Sequence, residues 1–252
     1  MMNELALFSG VGGGILAGKL LGWRTVCAVE RDAYAAGVLC ARQNDGLLAP
    51  FPIWDDICTF NGVPWQGRID VVSGGFPCQD LSVAGHGAGL DGERSGLWRE
   101  MSRIIGEVRP IYAFVENSPN LVNRGLARVL TDLTKMGYDT RWCVMGANSV
   151  GAPHKRDRVW IVGKISDPQR LGWKKRSVKQ RIVRKENKTN YSGESHSTFC
   201  ANSPEWWSTE PLVGRVAHGV DARVDRLKAI GNGQVPLCAA TAWKILTKDW
   251  HD

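Results

Sequence analysis

The chain has 252 residues, of which 43% are hydrophobic and 23% charged, and it carries a formal net charge of +7. That length fits one or two domains with a sizeable core, and the composition excludes a disordered or collagen-like chain. No apolar run approaches the ~18 residues needed to cross a bilayer, and the first twenty residues lack a secretory signal pattern. We therefore expect a cytoplasmic protein without membrane contact.

The first 163 residues alternate between short β-like runs and helical patterns. Strands are predicted at Glu4–Phe8, Thr25–Val29, Ile69–Val72 and Ile111–Val115. Apolar residues at three- and four-residue spacing predict helices at Gly14–Leu21, Ala33–Gln43, Leu97–Val108 and Leu126–Met136. Because strands alternate with helices, we predict an α/β fold with a parallel sheet covered by helices on both faces.

The remaining regular elements are predicted near the end of this unit and at the end of the chain. Two β-like runs, Arg141–Ala147 and Arg158–Ile165, are separated by Gly151 and Pro153 and predict a hairpin at the sheet edge. Helical character returns only after Asn232, at Pro236–Lys248. We expect this helix to pack on the first domain, since it is too short to be stable alone.

The basic charge is concentrated in an irregular segment between these two regions. Eight basic residues and one acid lie between Gly172 and Lys188, so the rest of the chain is neutral on balance. Clustered Lys and Arg indicate contact with a polyanion, although a solvated surface loop is the alternative. The chain is therefore divided into a catalytic domain (1–163), a small basic region (164–222) and a segment completing the catalytic domain (223–252).

The seven cysteines include one in an unusual context. Their odd number and the absence of a Cys-x-x-Cys pair argue against a disulfide framework and against a metal site. Cysteines 27, 40, 143 and 238 lie within apolar runs, where buried structural thiols are expected. By contrast, Cys78 follows a predicted strand and a Gly-Gly-Phe-Pro turn, so we expect its sulfur at the carboxyl edge of the sheet, where a nucleophile belongs.

A glycine-rich turn follows the first predicted strand and opens the first helix. Ligands bind open α/β sheets at this position. Counting from Gly10, a dinucleotide fingerprint would need Gly or Ala at position 15, where the chain has Ile15. Glu30 ends the second strand, where a carboxylate can accept hydrogen bonds from ribose hydroxyls. This pairing suits S-adenosylmethionine, which has a ribose but no phosphate; an ordinary tight turn is the alternative.

Three further charged residues lie at strand ends. Glu116 ends an apolar strand, where poor solvation favours a partly protonated carboxyl that can donate a proton to a ring nitrogen. The alternative is a carboxylate that caps a helix. Arg156 and Arg158 are two residues apart at the start of a strand, so both side chains are expected to face the same way, towards an anionic or carbonyl-bearing substrate.

Together and in this order, these residues resemble the DNA cytosine C5-methyltransferase family. The resemblance covers Leu5–Gly163 and Arg223 to about Trp243. It rests on the glycine turn, the Pro-Cys-Gln around Cys78, and the Glu-Asn, Arg-x-Arg and late Gly-Asn elements. The chain departs from the family pattern at three positions: Arg31 replaces an aromatic residue, Ser118 a valine and His154 a glutamine.

The resemblance implies a Rossmann-like methyltransferase sheet with a small basic target-recognition insertion, and S-adenosylmethionine as cofactor. The implied cofactor contacts are Phe8, Ser9, Gly10, Val11, Gly12, Gly13, Glu30, Arg31, Asp56, Ile57, Leu97, Asn232 and Gly233. The implied catalytic residues are Cys78 as nucleophile towards carbon 6 of a flipped cytosine, Glu116 at nitrogen 3, Arg158 at the carbonyl oxygen, and Arg156, which positions the base or lowers the pKa of Cys78.

The implied substrate is a specific sequence in double-stranded DNA. The expected DNA contacts are Ser82, Lys174, Lys175, Arg176, Lys179, Arg181, Arg184 and Lys185. We expect a monomer that binds no metal, in a bacterial cell or a phage-infected host. The protein could serve host DNA modification, a restriction system or a mobile element that protects its genome. Two other interpretations stay open: a catalytically silent regulator that binds DNA and cofactor, and an RNA methyltransferase with the same chemistry.

Overall fold

The computed structural model describes residues 1–77, 96–166 and 223–250. Seven strands form one sheet within these ranges: β1 (Asn3–Leu7), β2 (Arg24–Val29), β3 (Ile53–Trp54), β4 (Val71–Gly75), β5 (Tyr112–Asn117), β6 (Tyr138–Met145) and β7 (Arg158–Ile165). Their order across the sheet is β3-β2-β1-β4-β5-β7-β6. The predicted division into domains stays a prediction, because residues 167–222 lie outside the described ranges.

Six strands run in one direction and only β7 of the described strands is reversed. Strands β1 to β5 run in one direction, while β7 is antiparallel to both β5 and β6. The predicted parallel sheet and hairpin are therefore confirmed, with β6 at the edge and β7 inside the sheet. From β1 the strand order runs outwards to β2 and β3 on one side and to β4 and β5 on the other, so β1 and β4 flank a topological switch point. Open α/β sheets bind ligands at such a point, outside the carboxyl ends of the strands.

Helices cover both faces of the sheet, as predicted. They are α1 (Gly13–Leu20), α2 (Ala33–Asn44), α3 (Gly96–Val108), α4 (Leu121–Arg124), α5 (Leu126–Lys135), α6 (Arg223–Asn232) and α7 (Pro236–Thr247). The first face buries Leu5 and Val115 against Met101 and Ile104 of α3 and Leu133 of α5. None of the helices in the described residues is both long enough and apolar enough to cross a membrane.

The last helix, α7, packs on the opposite face of the sheet, which confirms its predicted position. Its Trp243 ring lies edge-on to three aromatic rings, with centroid distances of 4.6 Å to Trp23, 5.1 Å to Tyr112 and 5.4 Å to Phe114. Trp243 is buried, and its neighbour Ala242 is completely covered. This contact fixes α7 against the sheet.

Three predictions about local structure are wrong. Helical structure returns before Asn232, because Arg223–Asn232 forms α6, a short helix in which charged residues outnumber Val, Leu and Ile and whose last two residues are Gly and Asn. Cys40 is exposed and Cys143 half-buried. Cys40 directly follows the buried Leu39, and successive helical residues point in directions about 100° apart, so Cys40 faces solvent. The first strand ends before Phe8, which adopts a positive φ of 51°.

Candidate active site

The carboxyl ends of four parallel strands meet at one edge of the sheet. Leu7 is in register with Val29 on one side and with Gly74 on the other, and Gly75 is in register with Glu116. The residues that leave these strands therefore border one space. That space is a cavity of about 510 Å³, within the size range of small-molecule sites in proteins.

The cavity gathers most of the residues predicted to bind the cofactor. Its walls include Phe8, Gly10, Glu30, Arg31, Asp56, Ile57, Leu97, Asn232 and Gly233. Ser9 borders only a smaller neighbouring cavity of about 40 Å³. Val11, Gly12 and Gly13 border neither: the carbonyl of Val11 accepts a hydrogen bond from Arg42 at 2.5 Å, and Gly13 lies against the backbone of Gln234. All of these cofactor contacts remain predictions, and the cavity gives the last three no support.

The turn after β1 reverses sharply to start α1. Gly10 and Gly12 have φ angles of 52° and 88°, the left-handed region that glycine adopts without steric cost. The Ser9 hydroxyl donates to the carbonyl of Ala6 at 2.9 Å, which ties the turn back to its own strand. The turn is thereby held in a fixed conformation at the cavity wall.

Glu30 is fixed at the end of β2 by two backbone donors. The amide of Gly10 donates to its Oε2 at 2.6 Å, and the amide of Asp32 donates to its Oε1 at 2.7 Å. A carboxylate has about four lone-pair positions, so two bonds leave capacity to accept from hydroxyl groups of a ligand. This geometry supports the predicted ribose contact.

The charge of the cavity wall agrees with a cationic ligand. Besides Glu30, the wall carries the carboxyl groups of Asp32, Asp55, Asp56, Asp225 and Glu116, against the cations Arg31, Lys228 and Arg158. An acidic wall repels a pyrophosphate and attracts a sulfonium. Phe8, Ile57 and Leu97 supply apolar surface for a ring. These residues fit S-adenosylmethionine better than a dinucleotide.

Glu116 is the buried acid of the site, with 8% of its surface exposed. Arg158 Nε lies 2.9 Å from its Oε1, and Gln234 Nε2 donates to its Oε2 at 3.4 Å. Burial raises the pKa of Glu116 to about 7, against the opposing influence of Arg158 and Gln234. It does not cap a helix, since the next helix begins at Leu121 after Asn120. The carboxyl is therefore partly protonated near neutral pH.

Asn117, next to Glu116, anchors the chain that leaves β4. Its side-chain Nδ2 donates to the carbonyl of Phe76 at 2.9 Å, and its Oδ1 accepts from the amide of Ser118 at 2.8 Å. Only 2% of Asn117 is exposed. The Glu-Asn pair is recognisable in the sequence, but no local pattern assigns a role to Asn117. Its bond to Phe76 fixes the start of the segment that continues through Pro77, a cavity residue, to Cys78.

The two arginines of the Arg-x-Arg element have different partners. Arg158 borders the cavity and pairs with Glu116. Arg156 Nη2 instead donates to the carbonyls of Gly231 at 2.5 Å and Gly233 at 2.6 Å. The expectation that both face the same way assumed strand geometry at both positions, whereas β7 begins at Arg158 and Arg156 has a φ of 38°.

An ion pair that the sequence analysis missed joins α6 to α2 at the cavity wall. Lys228 Nζ donates to Asp32 Oδ2 at 2.6 Å. This bond holds the pKa of Asp32 below its ordinary value, and the Asp32 carboxylate raises that of Lys228. No sequence signal pairs residues 196 positions apart. The bond ties α6, which ends in Gly231 and Asn232, to the Glu30 side of the cavity.

Several predicted site residues fall outside the described ranges. They are Cys78, Ser82 and the basic residues Lys174, Lys175, Arg176, Lys179, Arg181, Arg184 and Lys185. Within the described ranges, no group of three or more His, Cys, Asp or Glu side chains could hold a metal ion.

Two curated methyltransferases show what the sequence is similar to. The chain is 34% identical over 177 residues to the type II methyltransferase M2.BsuMI of Bacillus subtilis, which covers 67% of this chain and 43% of that protein. It is 28% identical over 220 residues to M.CviJI of Paramecium bursaria Chlorella virus IL3A, covering 86% of this chain and 56% of that one. The chain thus spans about half the length of these relatives.

Solved structures share the fold. The S. pombe Dnmt2 methyltransferase superposes with a TM-score of 0.54 at 21% identity, over 66% of this chain and 52% of that chain. The Entamoeba histolytica methyltransferase EhMeth gives the same score at 16% identity, over 66% and 54%. These likenesses confirm the predicted methyltransferase sheet. A sequence profile described as C-5 cytosine-specific DNA methylase matches residues 2–220, and the chain therefore belongs to that family.

Proposed function

We propose that this protein transfers a methyl group from S-adenosylmethionine to carbon 5 of cytosine within a specific sequence of double-stranded DNA. The observation that carries this proposal is the buried Glu116–Arg158 pair, 2.9 Å apart, on the wall of the cavity that also contains the fixed carboxylate of Glu30. A proton donor for a base and a ribose acceptor for a cofactor thus face one space.

The cofactor prediction is confirmed at the level of the family, whose members use S-adenosylmethionine. When bound, the cofactor supplies an electrophilic methyl group on a sulfonium centre. Glu30 would accept from its ribose hydroxyls, while Phe8, Ile57 and Leu97 would contact its apolar parts. The acidic wall would balance the positive sulfonium charge.

Covalent help is needed because carbon 5 of cytosine is a poor nucleophile. The Cys78 thiolate adds to carbon 6 while Glu116 donates its proton to nitrogen 3, which places electron density on carbon 5. Carbon 5 then takes the methyl group. Water takes the carbon 5 proton, and the electron pair of that bond re-forms the carbon 5–carbon 6 double bond and expels Cys78 as a thiolate. The proton on nitrogen 3 returns to the Glu116 carboxylate. A Glu116 pKa near 7 suits both the donation and the return.

The base must leave the duplex for this chemistry, at a cost of a few kcal/mol in lost stacking and pairing. Arg158 would hold the carbonyl oxygen of the flipped cytosine. Ser82 and the basic residues between Gly172 and Lys188 would contact phosphates or base edges. Because this region is short for a recognition domain, a small target sequence is expected.

Methyl transfer is tested directly with tritium-labelled S-adenosylmethionine and separate pools of DNA and RNA. Tritium in 5-methylcytosine of DNA supports the proposal. Label only in RNA would favour the RNA methyltransferase, and no label in either would favour the silent regulator. Bisulfite sequencing of DNA from cells that express the protein then identifies the target sequence.

The covalent step is tested with duplexes that contain 5-fluorocytosine, in which carbon 5 cannot release a proton after methylation. The protein should form a complex with this DNA that resists denaturant. Cys78→Ser should abolish both the complex and turnover while cofactor binding is retained. Cys40→Ser, at an exposed thiol on α2, serves as the matched control and should behave as the unchanged protein. Substantial turnover by Cys78→Ser would overturn the assignment of the nucleophile.

A further inference from the structure

Gln234, in the linker between α6 and α7, reaches into the space between the glycine turn and Glu116. Its Nε2 donates to Glu116 Oε2 at 3.4 Å. With Glu116, it also borders the smaller cavity of about 40 Å³, whose wall includes Ser9, Gly14 and Gly75. A side chain at residue 234 thus contacts a carboxyl group 118 positions earlier in the chain.

Two glycines make room for this side chain. A Cβ at Gly14, in the first turn of α1, would lie 2.8 Å from Gln234 Oε1. A Cβ at Gly75, the last residue of β4, would lie 3.0 Å from Gln234 Nε2 and would also clash with Glu116 Oε2. Carbon atoms rarely approach polar atoms this closely, so any larger residue would displace the amide or the carboxyl. The sequence therefore provides a slot shaped for the Gln234 amide.

The two oxygens of Glu116 have separate donors. Arg158 contacts Oε1 from β7, and Gln234 contacts Oε2 from the α6–α7 linker. Arg158 alone leaves the carboxyl free to rotate about its last bond, because one donor fixes one oxygen. A second donor on the other oxygen fixes the plane of the carboxyl group, which decides where its proton points.

The same residue also contacts the cofactor side of the site. The backbone of Gln234 lies against Gly13, at the start of α1, and the preceding Gly233 and Asn232 border the large cavity. A shift of the linker when that cavity is filled would therefore move the amide that contacts Glu116. Gly233 at the large cavity and Gln234 at Glu116 are consecutive residues in the chain.

We propose that Gln234 is a positioning residue that orients the Glu116 carboxyl through Oε2 and couples this orientation to occupancy of the cofactor cavity. This inference rests on the proposed function, because it assigns Glu116 to the base. Gln234 does not border the large cavity, so we assign it no contact with the base or the methyl group. It acts by holding the proton donor in the plane that the base requires.

Gln234→Met tests the hydrogen bond, since methionine fills a similar volume without an amide donor. We expect kcat to fall about 10-fold, the loss typical of a hydrogen bond to an ionisable group, with a smaller change in KM for S-adenosylmethionine. Because the Gln234 bond lowers the pKa of Glu116, its loss should move the Glu116-controlled limb of the pH–rate profile to higher pH. Leu237→Ala, at an exposed side chain of α7, is the control and should leave both unchanged.

Gly14→Ala tests the slot independently, because its methyl group would push the Gln234 amide away. This substitution should reduce kcat and shift the pH profile in the same direction as Gln234→Met. In Gln234→Ala the amide is already absent, so adding Gly14→Ala should cause little further loss. Additive losses in the double variant would show that the two positions act separately and would overturn the proposal.

A measurement that needs no catalysis separates this inference from the proposed function. Carbon-13 NMR titration of labelled glutamate, with the Glu116 signal identified by its absence in Glu116→Gln, reports the carboxyl directly. The titration midpoint should rise in Gln234→Met and respond to S-adenosylmethionine less than in the unchanged protein. An unaltered midpoint and response overturn the role of Gln234 even if methylation is observed. Absence of methylation with the shift present overturns only the proposed function.

Discussion

Arg158 and Glu116 pair across the antiparallel junction of β7 with β5, with Arg158 Nε 2.9 Å from Glu116 Oε1. Glu116 is almost completely buried, and Arg158 has 23% of its side chain exposed. Removing one partner of a buried ion pair destabilises the folded protein, because an uncompensated charge then remains in a poorly solvated position. The pair therefore holds Glu116 Oε1 in place and offsets part of the effect of burial on the pKa of the acid.

Arg158→Ala removes this partner, so Glu116 should respond by staying protonated to higher pH. The direction follows because Arg158 lowers a pKa that burial raises to about 7. Loss of the predicted contact to the base carbonyl adds to the effect, and kcat should fall by at least about 10²-fold. Single-turnover methylation across pH 6–9 measures both changes. Arg99→Ala is the control, because its side chain on α3 is 85% exposed. Equal methylation rates in Arg158→Ala and Arg99→Ala would contradict the role of Arg158.

How far the sequence predicts this fold depends on the kind of element. Apolar periodicity predicted α3 and α5 well, because each buries a continuous stripe, with Met101 and Leu133 in the core. It missed α6, whose apolar residues lie among Arg, Asp and Lys, and β3, which has only two residues. Periodicity reports a continuous apolar stripe in the sequence, so an element that is very short or rich in charged residues gives only a weak signal.

The site shows the same limit. Sequence order predicted that Phe8, Glu30 and Glu116 share an edge, because parallel strands end on the same side. The partners of Arg156 were not predictable, since Gly231 and Gly233 lie 75 and 77 positions away. A contact between distant backbone carbonyls and a side chain leaves no local pattern.

Glu4 is a second buried acid, on β1 and away from the cavity wall. Its oxygens accept hydrogen bonds from Ser73 and Thr25, each at 2.6 Å. Burial raises its pKa from 4.5 to about 7, and the two hydroxyl groups lower it in part. The folded state therefore binds a proton more tightly than the unfolded chain between these two pH values.

The free energy of unfolding should accordingly fall as the pH rises from about 4.5 through 7, and the contribution of Glu4 should be lost above that range. A shift of this size corresponds to about 3 kcal/mol at most. Glu4→Gln cannot ionise, so urea unfolding at pH 5, 6, 7 and 8 should show a smaller decline than in the unchanged protein. Parallel stability profiles in the two proteins would mean that Glu4 titrates normally.

The Lys228–Asp32 pair should affect cofactor affinity only modestly. Both side chains reach solvent, with exposures of 59% and 34%, and exposed ion pairs contribute about 0–1 kcal/mol. Lys228→Ala should therefore weaken S-adenosylmethionine binding by less than about 5-fold, with the difference shrinking at high salt. Calorimetry at 50 and 500 mM NaCl measures this, with Lys244→Ala, exposed on α7, as the control. A loss that persists at high salt would indicate a direct contact instead.

Arg156 and Arg158 should be separable by kinetics, because their guanidinium groups have different partners. Arg156 donates to the carbonyls of Gly231 and Gly233, so it holds the segment whose Asn232 and Gly233 border the cofactor cavity.

Arg156→Ala should therefore raise the Kd and KM for S-adenosylmethionine about 10-fold or more, as expected for loss of charge-assisted bonds. Its kcat at saturating cofactor should fall less than that of Arg158→Ala. Arg156→Lys keeps the charge, but its ammonium ends a differently shaped side chain and does not reproduce the position of Nη2, so it should restore only part of the affinity. If Arg156 instead acts on the base or on Cys78, kcat would fall while cofactor affinity stays unchanged.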